Sequence, residues 1–253
     1  MKKFVLVAAM IAVLGVWTDS VRAEMDPTFA KANQAYSEGR FQEAVDGYQS
    51  LVQAGRYSAN LFYDLGNAHF RLGSFGEAIL NYERALALEP RHPESEANLQ
   101  LARDEARALE LRKTAVEKYV DAGTPTQYSI AASVAVWFAL FVTTRLFFAR
   151  RRSAGQIALI VLSLLVFAGA SFALYTEENG SKGSALAIVT GKDIQARLAT
   201  AESAGSVLAL PPGSEIKVLS ERGGWIYAAL PNDLRGWIPA TAVQRVRLNT
   251  SSS

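Results

Sequence analysis

The chain has 253 residues, half of them apolar and a fifth charged, with no Cys and two His. This composition excludes a disulfide scaffold, a Cys-ligated zinc or iron–sulfur site and a thiol nucleophile. The net charge of +2 is uneven, because residues 24–127 carry 11 Lys and Arg against 16 Asp and Glu, whereas residues 176–253 carry 8 against 7. Neither region predicts a basic surface for nucleic acid.

The first apolar run opens the chain. Two Lys residues precede the apolar stretch 4–17, and Val21 and Ala23 place short side chains three and one before a cut after Ala23. A charged end, a short apolar core and a small-residue cleavage site are the parts of a secretory signal peptide. The sequence therefore predicts a signal peptide over residues 1–23 and export of the segment that follows, with an uncleaved N-terminal anchor as the alternative.

Two further apolar runs, residues 128–149 and 154–175, are long enough to be transmembrane helices. The first is uncharged until Arg145, which can reach the interface from the last turn, and the second carries no charge. At 1.5 Å per residue each run crosses roughly 30 Å of hydrocarbon. Buried core helices are the alternative, but these are usually shorter and amphipathic. The sequence predicts a two-helix hairpin in the lipid bilayer.

A cluster of Arg side chains lies at one end of this hairpin, in the loop 150–153 and the turn before it. These topology-determining residues are Arg145, Arg150, Arg151 and Arg152. Cytoplasmic loops collect positive charge, so the loop is expected to be cytoplasmic and both flanking regions to face the other side. The signal peptide independently exports residues 24–127. The prediction is a bacterial inner-membrane protein whose N- and C-terminal domains are periplasmic.

Residues 25–92 contain a repeat with a period of 34 residues. The matched pairs include Asn33 with Asn67, Gly39 with Gly73, Phe41 with Phe75, Ala44 with Ala78, and Tyr48 with Tyr82. Such a period is typical of stacked helical hairpins, in which glycine permits the turn and small residues permit close helix approach. The copies 25–58 and 59–92 resemble the tetratricopeptide repeat (TPR), the second more closely than the first. That resemblance implies an all-α helical repeat with a concave groove for a protein segment.

The resemblance also assigns groove residues, which belong to the first helix of each repeat. They are Phe29, Asn33 and Tyr36 in the first copy, and Tyr63, Asn67, Phe70 and Arg71 in the second. An Asn amide offers both a donor and an acceptor and can hold the backbone of an extended peptide. Arg71 could pair with a carboxylate. The alternative is that Asn67 only forms bonds within its own repeat.

Residues 93–122 predict a long helix that caps the last repeat. Apolar side chains recur at three- and four-residue spacing through position 120. They are Leu99, Ala102, Ala106, Leu109, Val116 and Val120. So few repeats need a cap over their open face. The alternative is a helix that also pairs with a partner or with a second copy of the chain.

The C-terminal part reads as a linker over 176–184, short strands over 185–247 and a tail over 248–253. Its motifs are Leu210-Pro-Pro-Gly213, Gly224-Trp225 and Gly236-Trp237-Ile238-Pro239. In order and spacing they resemble a bacterial SH3 domain, which implies a small all-β barrel. Trp225, Tyr227 and Trp237 are its candidate contact residues for a peptide or glycan, and packing inside the barrel is the alternative.

No motif for catalysis is present. The sequence has no Gly-x-Ser-x-Gly, no phosphate-binding loop and no His-Glu-x-x-His. His69 occupies a repeat position usually held by a bulky packing residue, so a packing role is expected. The sequence therefore predicts a protein that is not an enzyme, with no catalytic, cofactor-binding or metal-ligating residues and no cofactor.

The order of the parts is more specific than any one of them. Signal peptide, TPR pair, membrane hairpin and SH3-like module resemble BatE-like proteins of the bacterial Bat aerotolerance cluster. That resemblance implies partners among membrane proteins with von Willebrand factor A domains and BatD-like components, with an indirect link to a MoxR-type ATPase. The predicted multi-domain membrane protein is a scaffold for periplasmic protein–protein interaction. The alternative is a peptidoglycan-binding protein that recruits envelope enzymes through its repeats.

Overall fold

The computed structural model describes residues 26–148 and 153–248. The predicted signal peptide, three Arg residues of the predicted cytoplasmic loop and the end of the tail lie outside these ranges. The described chain forms two compact units. One unit contains residues up to 110 together with those from 187 onward, and the other contains residues 111–186.

The first unit begins with five helices, which form the predicted stack of helical hairpins. They are α1 (Pro27–Ser37), α2 (Phe41–Gln53), α3 (Ala59–Arg71), α4 (Phe75–Leu88) and α5 (Pro93–Ala106). Asp26 and Ser58 begin α1 and α3, because each side chain accepts a hydrogen bond from a backbone N–H of the first turn. Gly39 and Gly73 turn the chain within each hairpin at φ of 79° and 69°, a conformation that favours glycine.

The helices of the second hairpin approach each other at Gly66, as the small residue there predicts. A Cβ at this position would lie 2.7 Å from the ring of Tyr82, whose side chain is fully buried. Tyr48 is buried at the equivalent position of the first hairpin, against Phe29. The core of the stack is therefore built from matched tyrosines, each filling the space beside a small residue or an aromatic ring.

The single long helix expected over residues 93–120 is replaced by two helices. Helix α5 ends at Ala106, Arg107 takes a left-handed φ of 51°, and a short helix α6 (Ala115–Val120) follows an irregular stretch. The stretch leaves the helical path because its backbone bonds to the C-terminal sheet. Leu109 accepts a hydrogen bond from the N–H of Glu215 at 2.8 Å, and its own N–H donates to the hydroxyl of Ser214.

The C-terminal part of the same unit is a seven-stranded sheet with the order β3-β2-β6-β5-β4-β1-β7. The strands are β1 (Leu186–Val189), β2 (Ile194–Arg197), β3 (Ser206–Leu210), β4 (Glu215–Arg222), β5 (Trp225–Ala229), β6 (Arg235–Pro239) and β7 (Val243–Arg245). The expected closed SH3-like barrel is wrong for this sheet, since β3 and β7 are its two edges and do not pair within residues 153–248. A single register pair, Arg197 with Trp237, joins β2 to β6.

The sheet packs directly onto the last repeat, so the repeats and the sheet are not separate modules on a flexible linker. Arg103 of α5 forms ion pairs with Glu83 of α4, at 2.6 Å, and with Glu215 of β4. All three side chains are at most 5% exposed. Beside this triad, the amide of Gln244 donates to the carboxylate of Glu77 at 3.0 Å. The contact is therefore both polar and buried.

The second unit contains α6, α7 (Pro125–Phe148) and α8 (Ala154–Asn179). Helices α7 and α8 contact each other through small side chains such as Ala132, Ala135 and Ala170. By length and composition both are able to cross a membrane, with mean hydropathies of 1.8 and 2.6. Most of their large apolar side chains are exposed, including Trp137 and Leu165. Helix α8 also runs past the expected span end at 175 into the predicted linker.

Candidate functional site

The first candidate surface is formed by the first helices of the hairpins. Helices α1, α3 and α5 neighbour one another, and their N-termini lie on the same side of the stack. An open cavity of about 460 Å³ lies along these N-termini. It is lined by Phe29, Asn60, Tyr63, Asp64, His92 and Glu94. Two aromatic rings and two carboxylates therefore border one depression.

Of the seven residues assigned to the groove, two line this cavity, namely Phe29 and Tyr63. Phe29 is largely buried and packs against Tyr48 with ring centroids 5.8 Å apart. Tyr63 is half-buried, with its ring 5.3 Å from that of His92. The cavity thus rests on rings whose positions are fixed by packing.

The side-chain oxygens of the two repeated Asn residues accept hydrogen bonds from other helices of the stack. The side-chain oxygen of Asn33 accepts a hydrogen bond from the Tyr48 hydroxyl at 2.6 Å, and that of Asn67 accepts one from Tyr82 at 2.8 Å. Asn67 also accepts from the amide of Asn98 at 2.8 Å. Burial raises the pKa of both tyrosines, so their hydroxyls stay protonated and donate. The Asn oxygens therefore join the helices of the stack.

The remaining assigned residues lie at the turn end of the first helices. Tyr36 packs edge-on against Phe41, and Phe70 packs in the same way against Phe75. The guanidinium of Arg71 lies over the Phe41 ring at 4.7 Å, so it joins the two repeats by a cation–π contact. Arg71 remains exposed. These residues therefore form a second cluster, apart from the cavity.

Residue assignment from the repeat missed four of the six cavity-lining residues. Asn60 and Glu94 lie 34 residues apart, at the same repeat position as Asp26. The 34-residue period therefore already indicated that these polar residues occupy equivalent positions. They lie one helical turn before the assigned residues Phe29 and Tyr63. His92 was not assigned because it caps the N-terminus of α5, whereas the groove residues were taken from the first helix of each repeat. Its Nδ1 accepts from the N–H of Ser95 at 3.2 Å, so its Nε2 carries the proton towards Asn60.

The second candidate surface is on the sheet. Trp225, Tyr227 and Trp237 are half-buried and lie on the face opposite Ile226 and Ile238, which belong to the sheet's core. The rings of Tyr227 and Trp237 pack with centroids 5.0 Å apart. The three aromatic residues assigned from sequence are thus brought together on one outward face.

His69 behaves as a packing residue. Burial lowers its pKa to about 4, so the ring is neutral at pH 7. Its Nε2 has no hydrogen-bond partner among the described residues. Across residues 26–148 and 153–248, no group of three His, Asp or Glu side chains is arranged to hold a metal ion.

Comparison with known proteins agrees with the repeat. Residues 59–92 match the family model of the tetratricopeptide repeat. The chain is also similar to a protein SGT1 homolog of Oryza sativa subsp. japonica, with 31% identity over 61 residues. That similarity covers 24% of this chain and 17% of the rice protein. TPR repeats are a non-catalytic module for protein–protein interaction, and the family match covers the second hairpin.

Proposed function

We propose that the protein is a membrane-anchored adaptor that binds a segment of a partner protein in the cavity of its repeats. The observation that carries this proposal is the cavity along α1, α3 and α5, which lies in a repeat of the protein-binding kind. Its packed aromatic rings offer a rigid surface at low entropic cost. The exposed carboxylate of Glu94 at its rim would meet a cationic or hydrogen-bond-donating group of the partner.

We further propose that the repeats and the sheet are held in the periplasm by α7 and α8 in the inner membrane. The partners would be the von Willebrand factor A-domain proteins and BatD-like components implied by the resemblance to BatE-like proteins. What supports this is the order of the parts and the Arg-rich loop between the two apolar helices. Reporter fusions after Gly123, Ser153 and Ser253 test it, because the topology requires outside, inside and outside.

The cavity is tested by a matched pair of charge reversals, Glu94→Lys and Glu96→Lys. Both residues are exposed and lie in the first turn of α5, but only Glu94 lines the cavity. Each change removes one negative charge that stabilises the N-terminus of the helix, so both should affect the helix itself equally. Tagged full-length protein is purified from gently solubilised membranes, and captured proteins are quantified by mass spectrometry.

We expect Glu94→Lys to reduce capture of von Willebrand factor A-type proteins about fivefold or more, since it replaces an attraction by a repulsion. Glu96→Lys should leave capture near the level of the unchanged protein. Equal effects of the two changes would remove the cavity from the proposal. If the unchanged chain captures none of these proteins, the proposal that its partners are of the Bat type is wrong.

A further inference from the structure

Helix α6 carries a small apolar surface that is exposed in the structure. Val116 and Tyr119 are 47% and 87% exposed, and because they lie three residues apart they share one side of the helix. We call these two side chains the outer face of α6. Single exposed apolar residues are common on protein surfaces. The meaning of this face therefore depends on where α6 is held.

The C-terminal end of α6 is held at the beginning of α7. The hydroxyl of Tyr128, in the first residues of α7, donates a hydrogen bond to the carbonyl of Val120 at 2.7 Å. A Cβ at Gly123 would lie 2.6 Å from the Tyr128 ring, so the connection between the two helices is packed against that ring. Tyr128 is also the first residue of the apolar run 128–149. The end of α6 therefore lies within one tyrosine side chain of the edge of this run.

The N-terminal part of α6 is held at the end of α8. The carboxylate of Glu117 accepts hydrogen bonds from the N–H of Thr114 at 2.6 Å and from the N–H of Ser181 at 2.5 Å. Ser181 follows α8, which ends at Asn179, four residues after the last residue of its apolar run, Tyr175. Four residues rise about 6 Å along a helix. Helix α6 is thus attached to both apolar helices at the same end of the pair.

These two attachments set the depth of α6 when α7 and α8 cross a bilayer. The headgroup layer on each side of the hydrocarbon is about 5–8 Å thick. One attachment lies at the edge of an apolar run and the other about 6 Å beyond an apolar run, so α6 falls within this layer. Tyr is enriched there because it combines an apolar ring with a polar hydroxyl. Three tyrosines lie at this end of the helix pair, namely Tyr119, Tyr128 and Tyr175.

We propose that the outer face of α6 binds the headgroup layer of the bilayer, with Val116 and the ring of Tyr119 among the lipid headgroups. The proposal rests on the membrane anchor of the proposed function. A lipid surface is favoured over a protein partner because the face is only two side chains wide, whereas a specific protein interface buries about 800 Å² on each partner. The lipid that surrounds α7 and α8 is also continuous with this face.

The test uses the absence of Cys from the chain, so that each variant carries one labelling site. Val116→Cys is labelled with the fluorophore bimane in the full chain, in phosphatidylcholine nanodiscs that hold one copy. Lys118→Cys is the matched control, because Lys118 is exposed on the same helix but lies about 160° around it from Val116. We expect a nitroxide on the lipid headgroup to quench the Val116 reporter about threefold more than the Lys118 reporter.

A reporter in α8 tests the membrane anchor separately. Leu165 is exposed near the centre of the apolar run 154–175, so a nitroxide on the lipid acyl chain should quench bimane at Leu165→Cys. If this reporter is not quenched, the membrane anchor fails and the lipid contact of α6 fails with it. If the Leu165 reporter is quenched but the Val116 and Lys118 reporters are quenched equally, the anchor stands and the proposed contact is overturned.

The emission wavelength of bimane identifies other surroundings of the outer face, because it shortens in apolar environments. Short-wavelength emission at Val116 without quenching by lipid would mean that protein covers the face. Long-wavelength emission without quenching would mean that the face stays in water, and either result overturns the proposal. Adding Tyr119→Ser to the Val116→Cys chain should reduce the quenching by about half, since it removes the larger side chain from the headgroup layer. Unchanged quenching would contradict the contact assigned to Tyr119.

Discussion

The ion triad that joins the last repeat to the sheet gives a sharp stability prediction. Substituting Arg103→Met retains most of the side-chain volume but leaves Glu83 and Glu215, at 5% and 1% exposure, without their shared cation. Removing one partner of a buried ion pair typically costs about 3–5 kcal/mol, because the carboxylate that loses its cation stays in a poorly solvated site. We expect the free energy of unfolding to fall by about 4 kcal/mol and the melting temperature by about 10 °C.

The measurement is thermal unfolding of the full chain in detergent at one scan rate. Helix content is followed by circular dichroism, and the environment of the four Trp side chains, two of which are Trp225 and Trp237 of the sheet, by fluorescence. Both transitions should shift together, since the triad joins α4 and α5 to β4. Glu110→Gln is the control, because Glu110 also pairs with Arg103 but is half-exposed, and its loss should cost less than about 1 kcal/mol.

A rescue separates charge from packing. In the Arg103→Met background, Glu83→Gln and Glu215→Gln remove both buried charges while keeping nearly the same side-chain shape. We expect the triple variant to recover at least half of the lost stability, since neutral amides cost less to bury than carboxylates. An Arg103→Met protein within about 1 kcal/mol of the parent, or a triple variant no better than the single one, would refute the electrostatic reasoning.

Two further predictions concern the first unit. Gly213 has a φ of 89°, and a Cβ there would lie 2.2 Å from Cδ1 of Ile79; Gly213→Ala should therefore cost about 2–4 kcal/mol in the same assay. Gly223→Ala, at a φ of 55° with open space around it, should cost only about 1 kcal/mol, and equal losses would contradict the close contact. For His69, whose pKa falls from about 6.5 in the unfolded chain to about 4 in the fold, the unfolded state binds more protons between these pH values. Stability should thus decline by up to about 3 kcal/mol as pH falls from 6.5 to 4, and His69→Phe should flatten this slope; an unchanged slope would assign it to other groups.

The repeat could be predicted from sequence because its information is local and periodic. Gly66 and Tyr82 belong to one hairpin, and their spacing recurs, so position alone indicates which side chains meet. The two apolar helices could also be predicted from sequence, since length and hydropathy are properties of a single segment. The aromatic residues of the sheet were assigned from the resemblance to a bacterial SH3 domain, and the two-residue alternation of β5 explains why Trp225 and Tyr227 lie on one side.

What sequence reasoning missed depends on contacts between distant segments. The helix break at Arg107 exists because Leu109 bonds to Glu215, more than a hundred residues later. Nothing in the apolar spacing of residues 93–120 contains that partner. The open sheet was missed for a similar reason, because turn motifs identify strands but do not determine whether the two edge strands meet. Of the assigned groove residues, Phe29 and Tyr63 line the cavity, whereas Asn60 and Glu94, which border it one helical turn earlier, were not assigned.

The two parts of the first unit are synthesised at different times. That unit is discontinuous, since residues 111–186 are inserted between the repeats and the sheet. Glu83 and Arg103 emerge early, but Glu215 follows Arg103 by 112 residues. At 5–20 residues per second, the interval is about 6–20 s. During synthesis the surface of α4 and α5 that later contacts the sheet is therefore exposed. It is covered only after the sheet, the last part of the unit, has been made.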